Sequence, residues 1–416
     1  MNTATAHSAL RHRLTVTRRT TGIALLLALI ALPVIATEFL NTRGTTALTT
    51  LLLWAFVGIM LPETIVESKQ LLRNKTILVA LCTLGACLTS WLAFSESFDG
   101  LRCMFMLGVT CCLPAAIGWF RRSSARGITI LIWTKACVLA YAGIRLGIAI
   151  LQQVPPLEMF KHPPIYRHLR HFNYDLSLMT GLALTLAEPD QWRRRAALYA
   201  SVFVLGFFSF WSGGRGGVLA VIVMLTAWWL AARTITRLRV ALHSMLFFIW
   251  GGLAVIASGE TQFLLKALTR SSRETLNAIS SNRLEIWMNT WASVTSGPRQ
   301  LVFGQSPEAF VNLGVHKTSA LHITHPHSAP LQWMLEYGLL GTAAIALAML
   351  TLGWRHVIPH LQHGSHEQRA IAATLIGMSA FSLVDGIYYH AAPLVFLTVL
   401  LAYLISHPPA TGTSAA

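Results

Sequence analysis

The stretch HPHSAPLQWMLEYGLLGTAAIALAMLTLGW, residues 325–354, decides the fold. Its opening, His325-Pro-His327-Ser-Ala-Pro-Leu-Gln332, ends the longest polar segment of the chain. The apolar helix that follows, Leu331 to Trp354, can cross the roughly 30 Å of a bilayer's hydrocarbon. Two imidazoles at the mouth of such a span are costly beside lipid, so function is the default reason for their presence. An imidazole titrates near neutrality, and held where water meets lipid it suits proton transfer to or from a lipid-linked substrate.

Apolar runs of this kind recur from end to end. The 416 residues are 54% hydrophobic and 12% charged, with a mean hydropathy of +0.56. A soluble domain carries roughly twice that charge fraction. Runs at approximately 21–40, 45–61, 77–95, 102–120, 128–151, 174–188, 196–212, 217–232, 240–258, 329–354, 369–387 and 390–406 predict an all-α polytopic membrane protein of about twelve transmembrane helices. The first run is long enough to stay as a span and is not read as a cleaved signal. All six cysteines fall in apolar segments and read as small core residues, not as a disulfide frame or a zinc site.

The net charge of +16 does not point to nucleic acid. Most of the excess sits in short loops, where orientation and attraction to anionic membrane lipids account for it. Arg11, Arg13, Arg18 and Arg19 precede the first span, and alternate loops carry Lys69, Arg73 and Lys75; Arg121, Arg122 and Arg126; Arg193 to Arg195; and Arg233, Arg237 and Arg239. The positive-inside rule puts these loops and both termini in the cytoplasm. The expected organisation is spans one to nine over 1–258, a long outer loop with amphipathic helices over 259–328, and three spans with a short cytoplasmic tail over 329–416.

Two outer loops are long, about 152–173 and 259–327, and both are basic. Outward positive charge opposes the orientation signal, which favours an anionic partner over a merely solvated surface. In the second loop, Thr261 to Ala278 and Asn282 to Val294 have helical spacing, with Leu284, Ile286, Trp287 and Trp291 forming an apolar stripe for the membrane face.

Ser212-Gly-Gly-Arg215-Gly-Gly217 lies where two spans meet on the outer face. There glycines flatten the backbone and expose amides, while one guanidinium offers paired hydrogen bonds to phosphate oxygens. Arg283-Leu-Glu-Ile-Trp287 puts arginine and tryptophan on one helix face, Trp287 anchoring at the interface and Arg283 turned to a cavity. Arg167 and Arg170, with His168 and His171, close the first outer loop as a second anion strip or a topological flank. Arg145, near the outer end of its span, joins them as a candidate substrate contact. Lys135 snorkels at the inner end of that span. Asp385 ends a span on the outer side, where it either orients a catalytic group or caps a helix. His356, His360, His363 and His366 are assigned to a solvated cytoplasmic loop.

His327-Ser328, nine further residues, then Gly338-Leu-Leu-Gly341 resembles the signature of bacterial O-antigen ligases. The glycine-flanked Arg215 and the Arg283–Trp287 pair resemble the other two recurrent features of that superfamily, which also holds O-antigen polymerases and protein O-oligosaccharyltransferases. The resemblance implies a multi-span glycosyltransferase (GT-C-like) architecture with a helical periplasmic loop. It implies transfer of a polysaccharide from undecaprenyl diphosphate to a sugar hydroxyl of lipid A-core, at the periplasmic face of the bacterial inner membrane, with no metal and no cofactor.

That implied chemistry assigns His327 as general base with His325 beside it, and Arg215 and Arg283 to the donor diphosphate. Trp287, Arg145, Arg167 and Arg170 remain substrate contacts. No acidic pair in the outer loops suggests a double displacement, so the transfer would invert the anomeric carbon. A lipid-linked glycan transporter also fits the span count, but the polar motifs gather on the outer face and not at mid-membrane.

Overall fold

The computed structural model describes residues 3–36, 39–94, 99–123, 126–152, 166, 169–187, 191–212, 214–232, 234–257, 283–315 and 323–409. Of these, the side chains of 3–15, 42, 169, 170 and 232 are excepted. Among the described residues every regular element is helical. In chain order the α-helices are α1 (Thr3–Ala36), α2 (Thr42–Ile59), α3 (Leu61–Leu72), α4 (Lys75–Phe94), α5 (Gly100–Arg122), α6 (Arg126–Leu151) and α7 (Leu169–Ala183). There follow α8 (Trp192–Trp211), α9 (Arg215–Ala232), α10 (Ile235–Ala257), α11 (Arg283–Val294), α12 (Pro298–Phe303) and α13 (Ala309–Asn312). The last are α14 (Ala329–Leu352), α15 (Ile358–His363), α16 (His366–Val384) and α17 (Ala391–Ser406).

Each apolar run coincides with a helix, because nothing else satisfies the backbone in hydrocarbon. Among the described residues six stretches are long and apolar enough to cross a membrane: Val16–Ala36, Lys75–Phe94, Gly100–Arg122, Arg126–Leu151, Ile235–Ala257 and Ala329–His363. Helices α2 and α3 qualify only together, bent by 88°, and Arg215–Ala231 and Ala391–Ser406 are apolar but shorter. The chain is thus a polytopic helical membrane protein, and large apolar side chains such as Trp133, Trp250 and Leu350 stand exposed as lipid-facing groups do. The bend between α2 and α3 has a local cause, since Pro62 cannot donate a backbone hydrogen bond and starts the new helix at its first turn.

Contacts divide the chain into two interleaved units, not into successive segments. The first takes residues 1–74, 101–167 and 394–407. In it α1 packs on α2 and α6, and the ring of Phe120 meets that of Tyr403 edge-on at 5.4 Å. Lys135, expected to snorkel, is instead buried, its ammonium 5.9 Å from the Phe396 ring centre. A cation over an aromatic face replaces the solvent it gives up.

The second unit takes residues 75–100, 168–393 and 408–416. Its helices approach through small residues, as membrane helices do. A Cβ on Gly206 would sit 2.3 Å from the Phe248 carbonyl oxygen, and one on Gly251 would sit 2.2 Å from that of Phe203, so α8 and α10 touch backbone to backbone. The described part of the long polar segment folds onto the start of α14. Ile286, Val294, Ala309, Phe310, Val315, Ile323 and Leu335 form one core. The stripe expected on α11 therefore splits, Ile286 turning inward while Leu284 and Trp291 face out. Thr261 to Ala278 lies outside the described residues.

Two further expectations are corrected. The His356–His366 segment is not a solvated loop: a π-helical turn, Gly353–Val357, and α15 carry it, and His360 is buried. The His366 ring nitrogen reaches the Leu184 carbonyl at 2.8 Å, and Ser365 and Gln368 close a capping box at the start of α16. Cys82 and Cys137 are exposed on their helices and not core residues, and all six thiols are free.

Candidate active site

The site is built in the second unit on the entrance to α14. His325, His327 and Ser328 are all buried, and His327 takes a left-handed backbone at φ 53. That conformation is uncommon for a side chain with a Cβ and marks a position held by its surroundings. Two contacts hold it. The backbone N–H of His327 donates to His325 Nδ1 at 3.2 Å, and the Trp287 indole N–H donates to the Pro326 carbonyl at 2.9 Å. Trp287 is thus not a lipid anchor; it clamps the peptide between the two histidines.

His327 Nδ1 lies 3.3 Å from Asp385 Oδ1. Asp385 follows the last turn of α16 and is 4% exposed, so its charge survives only because it is heavily solvated by donors. The Tyr174 hydroxyl and the Gly386 N–H donate to Oδ1 at 2.8 and 2.7 Å. Arg283 donates to Oδ2 at 3.2 Å and to the Val384 carbonyl at 2.5 Å. A carboxylate only accepts, so His327 Nδ1 carries the proton and Nε2 keeps the lone pair.

This corrects the reading of Arg283 as a group turned to an open cavity. Its guanidinium holds Asp385, and through it the His327 ring.

A second set of buried and half-buried groups backs the histidines. The His325 ring stacks on Tyr389 at 5.1 Å, and His325 Nε2 lies 3.3 Å from His390 Nε2. The His390 ring sits 4.2 Å from that of His171. The Tyr389 hydroxyl donates to Glu308 Oε2 at 2.6 Å, and the Glu308 N–H donates to Glu336 Oε1 at 3.1 Å. Gln332 Nε2 donates to the same oxygen of Glu336. Nearby, burial pushes the Tyr388 phenol up, partly offset by the Ser379 and Ser382 hydroxyls.

The glycines of the signature have structural work. Gly338 takes φ 65 and breaks α14, and a Cβ there would lie 2.4 Å from the Val302 carbonyl. The break frees the carbonyls of Leu335 and Glu336 to accept from the N–H groups of Gln305 and Ser306 at 2.9 and 3.1 Å. A Cβ on Gly341 would lie 3.2 Å from the Cys87 sulfur, so the glycine lets α4 close on α14.

Arg215 is exposed and opens α9. Three of the glycines around it, Gly214, Gly216 and Gly217, expected to flatten a turn and bare its amides, are packing residues. Cβ atoms on Gly214, Gly216 and Gly217 would lie 2.6, 2.3 and 2.6 Å from Asn173, Phe381 and Ser177. The Gly214 and Gly217 amides are spent on the Ser209 and Gly214 carbonyls. Ser212 donates to Asn173 Oδ1 at 2.6 Å, next to the Tyr174 that reaches Asp385, so the base of Arg215 and the His327 dyad share α7.

Gly213 and Arg167 lie outside the described residues, as does the side chain of Arg170. Arg145 stands exposed on α6 in the first unit, hydrogen-bonded to the Tyr141 hydroxyl at 3.0 Å.

One grouping was not expected: ligand atoms of His325, His327 and Asp385 lie within 4.8 Å of one another. Its donor set is poorly suited to a cation. Asp385 already accepts from four donors, and His325 Nδ1 is spent on a backbone amide. Sequence reasoning missed Tyr174, Glu308, Gln332, Glu336 and Tyr389. Only Glu336 carried a signal, as an acid inside an apolar span.

Residues 200–346 match the family model described as O-antigen ligase. The match takes in Arg215, Arg283, Trp287, His325, His327, Gly338 and Gly341, and ends before Asp385. None of the curated proteins compared with the chain matches it.

Proposed function

We propose that this protein is an O-antigen ligase, a glycosyltransferase-like membrane enzyme, a reading supported by the match of residues 200–346 to the O-antigen ligase family model. It transfers the polysaccharide of an undecaprenyl diphosphate-linked donor to a sugar hydroxyl of lipid A-core. The observation that carries this reading is the dyad: His327 bears its proton on Nδ1 against Asp385 and offers Nε2 as a base. His327 Nε2 removes the acceptor hydroxyl proton as the oxygen attacks the anomeric carbon. The diphosphate leaves, and the configuration inverts. Asp385 stabilises the imidazolium that forms, and Arg283 and Tyr174 keep Asp385 in place. Arg215 supplies the positive charge for the departing diphosphate without a metal.

Arg167 and Arg170 are assigned to acceptor phosphates, and Arg145 to a peripheral substrate contact. The architecture we assign is that of the multi-span glycosyltransferases, with about twelve spans and both termini cytoplasmic. Residues 259–328 form a periplasmic loop beside a periplasmic active site in the inner membrane. A polymerase or a protein O-oligosaccharyltransferase would use the same dyad with a different acceptor.

The decisive experiment incubates purified protein with lipid-linked O-antigen and lipid A-core and follows capped lipopolysaccharide. The unmutated protein caps it, and His327→Ala abolishes transfer while still binding donor. Capping at the normal rate by His327→Ala overturns the proposal. Extension of the lipid-linked glycan in place of capping assigns the polymerase.

A further inference from the structure

A recess in the first unit, about 270 Å³ including its open mouth, plays no part in this chemistry. Arg18, Arg19, Met60, Glu63, Trp119 and Arg122 line it. Glu63, in the first turn of α3, is 3% exposed, and Gly118 on α5 lets it pack there, since a Cβ on that glycine would lie 2.6 Å from the Glu63 Cβ. Arg122 Nη1 donates to Glu63 Oε1. Glu63 Oε2 is buried with no hydrogen-bond partner among the described residues.

The neighbouring pair shows the contrast. Both oxygens of Glu67 accept from Arg121 Nη1, at 2.8 and 2.7 Å. Of the two glutamates α3 buries against α5, only the one facing the recess has an oxygen, Oε2, without a donor among the described residues.

The recess holds three guanidiniums against one carboxylate. Among the described residues no hydrogen bond or ion pair engages the exposed guanidiniums of Arg18 and Arg19. Two free cations call for an anion with several oxygens, and a buried carboxylate oxygen without a donor calls for an N–H or O–H. An occupant with both is a phosphodiester carrying a donor a few bonds away. The surroundings say where it comes from. Helix α3 turns 88° from α2, burying Glu63, Thr64 and Glu67 while exposing Leu61, Ile65 and Val66. A helix with that division lies in a membrane interface, its apolar face against acyl chains.

We infer that this recess binds the headgroup of a membrane phospholipid, its phosphate on Arg18 and Arg19 and its ammonium donating to Glu63 Oε2. The inference is independent of the transfer reaction.

The test uses the full-length protein, purified in detergent and delipidated. Native mass spectrometry then measures retention of phosphatidylethanolamine and of phosphatidylcholine with the same acyl chains, in the second of which methyl groups replace the three N–H donors. Phosphatidylethanolamine is retained over phosphatidylcholine by roughly tenfold, the scale of one hydrogen bond to a charged group. Glu63→Gln, which keeps an acceptor for Arg122, removes the preference, and Glu67→Gln, outside the recess, keeps it. Arg18→Gln with Arg19→Gln, both exposed positions, lowers retention of both lipids. Equal retention of the two lipids by the unmutated protein overturns the inference, whether or not Glu63→Gln folds. Thermal stabilisation by soluble phosphoethanolamine at the same concentration as the lipid also overturns it, since the acyl chains would then contribute nothing.

Discussion

Replacing Asp385 by Asn tests the dyad while leaving its shape intact. The amide oxygen takes the Oδ1 position, where Tyr174, Gly386 and His327 all donate, and the amide nitrogen is left facing Arg283. His327 therefore keeps its tautomer, and what is lost is the negative charge beside the imidazolium of the transition state. At the 3.3 Å separation of His327 Nδ1 and Asp385 Oδ1, a full charge pair is worth about 5 kcal/mol at an effective dielectric of about 20. With the proton about half transferred, about 2–3 kcal/mol is lost, a fall of roughly 30- to 150-fold in kcat. Arg283, having lost its carboxylate partner, adds repulsion of the same sign, so the range is a floor. The assay is the initial rate of lipopolysaccharide capping, with donor binding measured alongside. A rate within twofold of the unmutated enzyme, with the protein folded, would refute the assignment of Asp385.

Arg215→Ala costs roughly 2–4 kcal/mol of transition-state stabilisation in the same assay, and Arg215→Lys restores only part of it; full activity at normal expression removes Arg215 from the site. Turnover survives chelation, and loss in EDTA restored by magnesium or manganese would show that the grouped His325, His327 and Asp385, or another site, does hold a working metal. Gly338→Ala forces a side chain into φ 65 and against the Val302 backbone at 2.4 Å, so the melting temperature in detergent falls by the equivalent of at least about 1–3 kcal/mol. A Gly338→Ala protein as stable as the unmutated one contradicts the account of the helix break. Trp287→Phe keeps an aromatic ring there but loses the N–H to Pro326, so capping slows while donor binding holds; an unchanged rate makes that clamp dispensable.

The helices were legible because hydrocarbon leaves a chain little choice, and an apolar run announces the element it must form. What the runs could not announce was direction. Helix α3 hides two glutamates and shows its leucines, so its sequence carries no apolar run, and only Pro62 hinted that a new helix starts there. In the site, His327 was legible from its costly place, and Asp385 as an acid ending a span. Arg283 was misjudged because helical spacing gives the face a residue shares with its neighbours, not the carboxylate 102 positions away that it meets. The glycines around Arg215 were misjudged for a related reason. A glycine needed for a bare amide and one needed for a close neighbour are the same letter, and only the side chains of α7 and α16 tell them apart.

The spacing between His327 and Gly338 has its explanation in contacts that leave the helix and return. At Gly338 the break in α14 turns two carbonyls toward Gln305 and Ser306. The chain beyond them is strained, with Ser306 at φ 91 and Glu308 at φ 69, and these with His327 are the non-glycine residues of positive φ among those described. That strain aims Glu308 at the Tyr389 hydroxyl, Tyr389 stacks under His325, and His325 takes the N–H of His327. Backbone strain of this kind persists where the surroundings over-determine it, and here it runs along one path from the glycine to the base. The glycine does not approach the reacting groups. It fixes a loop that fixes a tyrosine that fixes a histidine, which is why a helix break so far from the imidazole bears on the direction in which its lone pair points.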